Sequence, residues 1–227
     1  MVDADTTPPA GAAPASTDPT VGGAERVIFF SDAVVAIAIT LLALDLHVPE
    51  QLSNGGFWRD LSHNYQDYLG FVISFLVIGN HWLAHHRLYG LVSRATPALV
   101  RWNLLWLLMI VLTPFATRVI VADGAFASRF TVYALTQAIA ALSFMLAIWE
   151  IHRRGLAREG TAPGVFRHAY LGSATVFAAF MISIPVAFAT HWAYAVWAVI
   201  PIAGRVQDVL ERRNDARRPA PYSFDQA

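Results

Sequence analysis

Three histidines that lie close together are the first residues in this sequence that could do chemistry. His81, His85 and His86 form the pattern HxxxHH within GNHWLAHHRL, residues 79–88. Residues four apart lie on the same face of a helix, so two imidazoles at this spacing can bind one metal ion. A diiron site of the kind found in membrane oxidising enzymes needs several such groups, whereas the other five histidines are scattered singly. A histidine metalloenzyme is therefore an alternative interpretation and not the main one.

A serine and an aspartate, Ser31 and Asp32, open a run of Ala, Val, Ile and Leu. A carboxylate inside a membrane span costs about 2.5–3.5 kcal/mol on insertion scales, so it usually faces protein or water and has a partner. Asp32 lies roughly 9 Å into the predicted helix at 1.5 Å per residue. We predict that a polar cluster holds this helix in place and is not itself an ion path. The predicted members of the cluster are Arg26, Phe30, Ser31, Asp32, His81, Trp82 and His85.

The composition indicates the elements that must position these residues. Of 227 residues, 56% are hydrophobic and 14% are charged, and the mean hydropathy is +0.46. A soluble globule carries nearer a quarter of charged residues, so we predict an all-α polytopic membrane protein. With no cysteine, disulfides and thiol chemistry are excluded. The six predicted spans run from about Arg26 to His47, Tyr65 to Leu91, Leu99 to Val121, Phe130 to Ile151, Arg167 to Ala189, and Trp192 to Val209.

The segments outside these spans divide the chain into three parts. Residues 1–24 are rich in Pro, Ala, Thr and Gly and indicate a disordered N-terminal tail. Residues 25–211 form the predicted six-helix membrane domain. Residues 212–227, with an arginine run at their start, form a predicted cytoplasmic C-terminal tail.

The arginines indicate the orientation of the spans. With the N-terminus in the cytoplasm, 13 of the 16 basic residues, all of them arginine, fall on the cytoplasmic side. Only Arg59, Arg118 and Arg129 fall outside. Cytoplasmic loops carry an excess of basic residues, so both termini are predicted to be cytoplasmic.

The first span has one face that could line a pore. Ile37, Leu41 and Leu44 are spaced i, i+4, i+7 and form a stripe along a helix. Small residues at four-residue spacing allow another helix to approach closely, and the neighbouring face is of this kind. That face consists of Asp32, Ala36, Thr40 and Ala43. Periodicity alone does not distinguish a pore from a stripe that faces lipid or the core.

The same helix carries a motif that narrows the interpretation. Arg26 is followed after three residues by FSD, residues 30–32, and then by AIAITLL, residues 36–42. This resembles the first helix of the transmembrane protein 175 family, potassium channels of endolysosomes and prokaryotes. The end of the second span is similar to the family's W-x-x-H-x-R-L ending. Animal members have two six-helix repeats, whereas one FSD motif resembles the prokaryotic single-repeat form, which assembles as a tetramer.

The resemblance implies a potassium-permeable channel and not an enzyme. In the family, four copies of the first helix line the pore, and bulky aliphatic side chains form the constriction. By motif position that ring is Ile37, with Leu41 and Leu44 beyond it and Thr40 as a polar layer. Hydrophobic rings can gate by dewetting. Selectivity for potassium should be modest, because no cage of carbonyl groups replaces the ion's hydration shell.

Further expectations follow for the surroundings of the pore. A ring of Asp45 at the outer mouth would concentrate cations, although a carboxylate that merely faces water explains this residue equally well. The predicted partners are potassium ions, three further copies of the chain and membrane lipids, with no nucleic acid, cofactor or metal site. The predicted location is a prokaryotic cytoplasmic membrane.

Pro114 and Pro185 inside spans would also suit a secondary transporter, but no acidic residue lies at mid-span to couple protons.

Overall fold

The computed structural model describes residues 21–49 and 53–206, and the regular elements in these ranges are helices. They are α1 (Val21–Leu44), α2 (Asn54–His63), α3 (Tyr65–Tyr89), α4 (Pro97–Val121), α5 (Phe126–Arg154) and α6 (Pro163–Ala189). A 3₁₀ helix, His191–Ala198, follows α6 and continues into helical residues 199–206. The all-α prediction is confirmed for this part of the chain.

Five of these helices are long and apolar enough to cross a membrane. They are α1, α3, α4, α5 and α6, and they correspond to the first five predicted spans. The prediction of a polytopic helical membrane protein is therefore confirmed. α1 begins at Val21, so the last four residues of the predicted N-terminal tail are helical. Residues 1–20 and the predicted C-terminal tail, 212–227, lie outside the described residues.

The sixth predicted span is not confirmed. Its described part is the 3₁₀ helix His191–Ala198 and helical residues 199–206, and residues 207–209 lie outside the described part of the chain. Crossing the hydrocarbon requires about 20 residues of α-helix. The predicted tight connection is present, because Thr190 alone separates α6 from the 3₁₀ helix and its side chain accepts a hydrogen bond from the backbone N–H of Trp192 (3.2 Å). The indole N–H of Trp197 then donates to Ser183 Oγ on α6 (3.0 Å).

α2 is a short helix that the sequence analysis did not predict. Ser53 caps it by accepting a hydrogen bond from the N–H of Gly56 (3.1 Å). The helix is tied to the residues after α1, since His47 Nε2 lies 2.9 Å from Asp60 Oδ2. Tyr68 on α3 also donates a hydrogen bond to the carbonyl of His47 (2.5 Å). These contacts fix α2 beside the end of α1.

α5 lies at the centre of the bundle and packs against α4 on one side and α6 on the other. α1 lies at the margin, where it contacts α3 and α4. One core cluster joins α1, α3, α4 and α5 around Ile78, Trp106 and Ile110. A second joins α4, α5, α6 and the 3₁₀ helix around Phe130 and Phe180. The marginal position of α1 leaves one of its faces uncovered.

Two loops are joined at one end of the bundle. The connection from α3 to α4 and the connection from α5 to α6 form an antiparallel bridge between Val92 and Ala157. Arg158 N–H donates to the carbonyl of Leu91, and Ser93 N–H donates to the carbonyl of Leu156, both at 2.8 Å. α5 ends at Gly155 in a left-handed conformation (φ 59°), which a residue with a side chain adopts less readily and which turns the chain into this bridge. Both loops carry arginines and belong to the side predicted to be cytoplasmic.

Candidate functional site

α1 has one buried face and one exposed face. Ser31, Val35, Ala38 and Leu42 recur at helical spacing and are all buried against α3 and α4. On the opposite side, Ile37 is 60% exposed, Leu41 39% and Leu44 79%. The predicted stripe is therefore a row of large apolar side chains that the rest of the chain leaves uncovered.

Thr40 lies within the exposed face, between Ile37 and Leu41. Its hydroxyl donates a hydrogen bond to the carbonyl of Ile37 at 2.8 Å. The proton is thereby used within the helix, and the hydroxyl oxygen keeps lone pairs that can accept from water or approach a cation. Thr40 thus presents an acceptor on an otherwise apolar surface.

Asp45 lies just past the end of α1 and is paired with an arginine. Arg118 Nη1 on α4 lies 3.1 Å from Asp45 Oδ1, and the aspartate side chain is 33% exposed. The pair offsets the charge that Asp45 would otherwise present to a cation. Because the carboxylate remains partly exposed, it still places negative charge at this end of the exposed face.

Asp32 is held by the end of α3. Trp82 Nε1 donates a hydrogen bond to Asp32 Oδ1 at 2.8 Å, and His86 Nδ1 lies 3.9 Å from Oδ2. The rings of Trp82 and His86 also contact each other, with centroids 5.6 Å apart. The sequence analysis placed Trp82 in this contact, but it did not include His86.

Ser31 belongs to a separate, fully buried chain of hydrogen bonds. His85 Nε2 lies 2.8 Å from Asn103 Oδ1, Asn103 Nδ2 donates to Ser31 Oγ (3.0 Å), and Ser31 Oγ donates to the carbonyl of Val27 (2.8 Å). Because Asn103 Oδ1 can only accept, His85 carries its proton on Nε2. The chain connects α3 and α4 to the buried face of α1.

His85 is further held between two aromatic rings. Its ring stacks on Tyr89 with centroids 4.1 Å apart and on Trp106 with centroids 4.4 Å apart. The side chains of all three residues are almost completely buried. The imidazole therefore has little freedom to rotate towards another partner.

His81 lies in a third contact, away from Asp32. Its Nε2 is 3.2 Å from Gln137 Oε1 on α5, and Trp106 Nε1 donates to Nδ1 (3.5 Å). Gln137 Nε2 in turn donates to Thr113 Oγ1 (3.3 Å). His81 thus connects α3 to α4 and α5.

The predicted single polar cluster is therefore three clusters. Successive helical residues point about 100° apart, so His81 and Trp82 face different neighbours although they are adjacent in sequence. Trp82 faces α1, whereas His81 and His85 face the interior. Two predicted members, Arg26 and Phe30, are exposed and take no part in the described hydrogen bonds.

Two residues that sequence reasoning missed complete these clusters. Asn103 and Gln137 are buried amides within apolar helices. A buried amide needs partners, so an isolated Asn or Gln within a span is itself a signal of an interhelical contact. That signal was present in WNLLW, residues 102–106, and in TQAIA, residues 136–140.

The amide contacts bear on the metalloenzyme alternative. His81 and His85 use Nε2 for Gln137 and Asn103, and His86 lies on the side of Asp32. Within residues 21–49 and 53–206, no group of three or more His, Cys, Asp or Glu side chains is arranged to hold a metal ion. This geometry gives the metalloenzyme alternative no support.

Replacement of Asp32 by alanine is expected to lower the yield of folded, assembled protein. The variant loses the acceptor for Trp82, a charged hydrogen bond that we place at about 1–2 kcal/mol because the side chain is 31% exposed. Asp32→Asn retains an acceptor oxygen and should be intermediate. Size-exclusion chromatography of membrane extracts measures the yield. A normal, fully selective oligomer from Asp32→Ala would contradict the structural role.

Comparison with known proteins relates this arrangement to a family. The family model "Endosomal/lysosomal potassium channel TMEM175" matches residues 26–114. A potassium channel of Streptomyces collinus is 40% identical over 134 residues, which are 57% of this chain and 65% of that protein. A potassium channel of Chamaesiphon minutus is 40% identical over 94 residues, 40% of this chain and 46% of that protein. The chain thus spans less than two thirds of the length of each of these relatives.

The fold has a solved counterpart. The crystal structure of a lysosomal potassium-selective channel TMEM175 homolog from Chamaesiphon minutus superimposes with a TM-score of 0.64 at 24% identity. The superposition covers 82% of this chain and 96% of that one. The resemblance predicted from the FSD motif is confirmed, since residues 26–114, which hold most of α1, all of α2 and α3 and most of α4, match the TMEM175 family model.

Proposed function

We propose that this chain is the subunit of a potassium-permeable cation channel, in which four copies place α1 around a central axis. The exposed face of α1 carries the proposal. Large apolar side chains at Ile37, Leu41 and Leu44 face away from the chain's own core, on a helix at the margin of the bundle. Neighbouring copies would cover the sides of this face and leave its centre around a pore.

The family match supports the choice of a pore over a surface that faces lipid. α1 lies almost entirely within the matched segment, and the two bacterial relatives are named potassium channels. A helix that only faces lipid needs no threonine on its exposed side and no carboxylate at its end. Both are present here, as Thr40 and Asp45.

The constriction would work by dewetting. Four copies of Ile37 around one axis form a short apolar ring, which excludes water and ions when narrow and fills with water when a small movement of α1 widens it. Leu41 and Leu44 extend the ring, and Thr40 offers oxygen atoms to the hydration shell of a passing ion. Selectivity for potassium would be modest and would depend on how readily each cation loses part of its shell.

The proposed setting is a prokaryotic cytoplasmic membrane, with the arginine-bearing loops inside. The joined loops at Val92 and Ala157 support this orientation, because they bring two arginine-bearing connections to one end of the bundle. The residues after α1, with Asp45, then lie at the outer end. Cations would enter past the carboxylates and meet Leu44 first.

A single introduced thiol tests whether the exposed face of α1 lines the pore. The chain contains no cysteine, so Leu44→Cys carries the only thiol in each subunit. We expect a positively charged methanethiosulfonate reagent to reduce potassium flux in proteoliposomes to about a tenth or less. A fixed charge that raises the barrier by about 1.4 kcal/mol slows passage tenfold. Thiol-reactive crosslinking of the same variant should link subunits.

Leu76→Cys is the matched control, because Leu76 is also a large exposed leucine (57%) but lies on α3. The reagent should leave its flux unchanged, as it should that of the cysteine-free protein. Potassium flux no higher than that of empty liposomes would contradict the channel itself. If potassium flux is present but the reagent does not reduce it in Leu44→Cys, the result would instead contradict the assignment of α1 to the pore.

A further inference from the structure

A cavity on the far side of α3 from α1 has no role in the proposed pore. Its volume is about 410 Å³, and it lies between α3, α5, α6 and helical residues 199–206. It is present because α3 and α6 contact each other only sparsely, although each packs closely on other helices. Small-molecule sites in proteins have volumes of about 300–1,000 Å³.

The cavity extends along half of a membrane span. Along α3 it runs from Val77 near the middle to Leu88 near the end that bears the arginine-containing loops, and Leu91, just past the helix, also lines it. The distance from Val77 to Leu88 is roughly 16 Å at 1.5 Å per residue. The hydrocarbon core of a bilayer is about 30 Å thick, so the cavity matches one leaflet.

The wall of the cavity is mainly apolar. Phe144 on α5 and Val176 and Phe180 on α6 provide large apolar side chains. Small residues, among them Ala84 on α3 and Gly172 on α6, leave the space between the helices open. A surface of this kind suits a hydrocarbon chain better than a hydrated ligand.

Two polar side chains of the cavity lie on the same face of α3. Arg87 lies at the rim with an exposed side chain, and Asn80 lies seven residues earlier, about 10 Å deeper along the helix. Neither side chain makes a hydrogen bond or ion pair with the described residues. His168 on α6 also lines the cavity, and the described lining includes no Asp or Glu. Arg87, which has no described ion pair, therefore gives the rim a positive charge.

We propose that this cavity binds an anionic phospholipid from the leaflet on the arginine-rich side. One acyl chain would lie in the apolar cavity, and the guanidinium of Arg87 would bind the phosphate. Asn80 would donate to an ester carbonyl, which gives its amide a partner within the membrane. The binding site is separate from the exposed face of α1, so it does not depend on the proposed channel activity.

Native mass spectrometry of the full-length protein in detergent tests the proposal. The probes are phosphatidylglycerol and phosphatidylcholine with identical acyl chains. We expect phosphatidylglycerol to bind more tightly to the wild type, and Arg87→Ala to weaken its binding about fivefold while phosphatidylcholine binding changes little. Arg94→Ala is the matched control, since Arg94 is an exposed arginine at the same end that does not line the cavity. Equal binding of the two lipids by the wild type would overturn the proposal.

A second variant tests the cavity itself. Ala84→Trp fills the space and should abolish binding of both lipids, whereas Leu83→Trp, at the preceding position and outside the lining, should not. Oleate provides a third probe: displacement of phosphatidylglycerol by oleate at equal concentration would refute a phospholipid site in favour of a fatty-acid site. If Ala84→Trp binds phosphatidylglycerol as the wild type does but has a smaller oligomer mass, the cavity is a subunit interface. That result would overturn the proposal. If Ala84→Trp does not fold, the phosphatidylglycerol binding of Arg87→Ala, compared with that of Arg94→Ala, tests the proposal.

Discussion

Ile37→Asn is expected to raise potassium flux in proteoliposomes at least about tenfold and to bring sodium flux close to it. An asparagine ring holds water by hydrogen bonding, so the constriction stays wet and ions cross without the barrier that an apolar ring imposes. Lowering that barrier by about 1.4 kcal/mol is sufficient for a tenfold increase. Discrimination falls for the same reason, because a wet ring lets each cation keep its hydration shell. Flux of the two cations, measured in parallel at equal protein content, gives both results.

The control for this substitution must carry the same change on a helix outside the pore. Leu76→Asn on α3 is suitable, since Leu76 is 57% exposed and Ile37 60%. We expect its fluxes to match those of the wild type. If Ile37→Asn alters neither flux nor discrimination, Ile37 does not line the constriction. If Leu76→Asn produces the same increase, the effect arises from general disturbance of the bundle.

Asn103→Leu is expected to give the largest loss of stability among single substitutions in the polar clusters. It leaves the buried N–H of His85 without a partner and removes the bond to Ser31, which together cost about 2–4 kcal/mol. We expect the apparent Tm in detergent, followed by tryptophan fluorescence, to fall by at least about 5 °C. Gln66→Leu, which replaces an exposed amide on α3 with no described hydrogen bond, should change the Tm little in the same detergent.

A double variant separates the loss of the hydrogen bond from the loss of shape. His85→Phe added to Asn103→Leu removes the orphaned N–H and keeps an aromatic ring between Tyr89 and Trp106. Replacing both partners by apolar groups can be nearly neutral, so much of the lost Tm should return. An Asn103→Leu protein as stable as the wild type would contradict the view that this chain of hydrogen bonds holds α1.

The spans and the exposed stripe of α1 were predictable because they depend on local patterns. Apolar runs of sufficient length identified five of the membrane helices, and a period of 3.6 placed Ile37, Leu41 and Leu44 on one side of α1. Their exposure agrees with that period but does not by itself assign them to a pore. The assignment still rests on the proposed assembly of four chains.

Other features could not be read from local patterns. α2 was missed because the sequence NGGFWRDLSH, residues 54–63, is short and polar, and its glycines favour a loop. It forms because Ser53 caps it and Asp60 meets His47 across a turn. The contacts of His81 likewise depend on how α3 is rotated against α4 and α5. The packing of the helices determines that rotation, and the spacing of the histidines does not.

The positions of the bonds along α1 have a mechanical consequence. Ser31 and Asp32 bind Asn103 and Trp82, so directional bonds hold α1 at adjacent positions near its arginine-rich end. From Val35 to Leu42 the described contacts with other helices are apolar and carry no fixed direction. Just past the other end, Asp45 pairs with Arg118, so directional contacts hold α1 on both sides of this apolar stretch. A beam supported at both ends bends most between its supports, so the stretch that carries Ile37 and Leu41 can bow sideways while both ends keep their register.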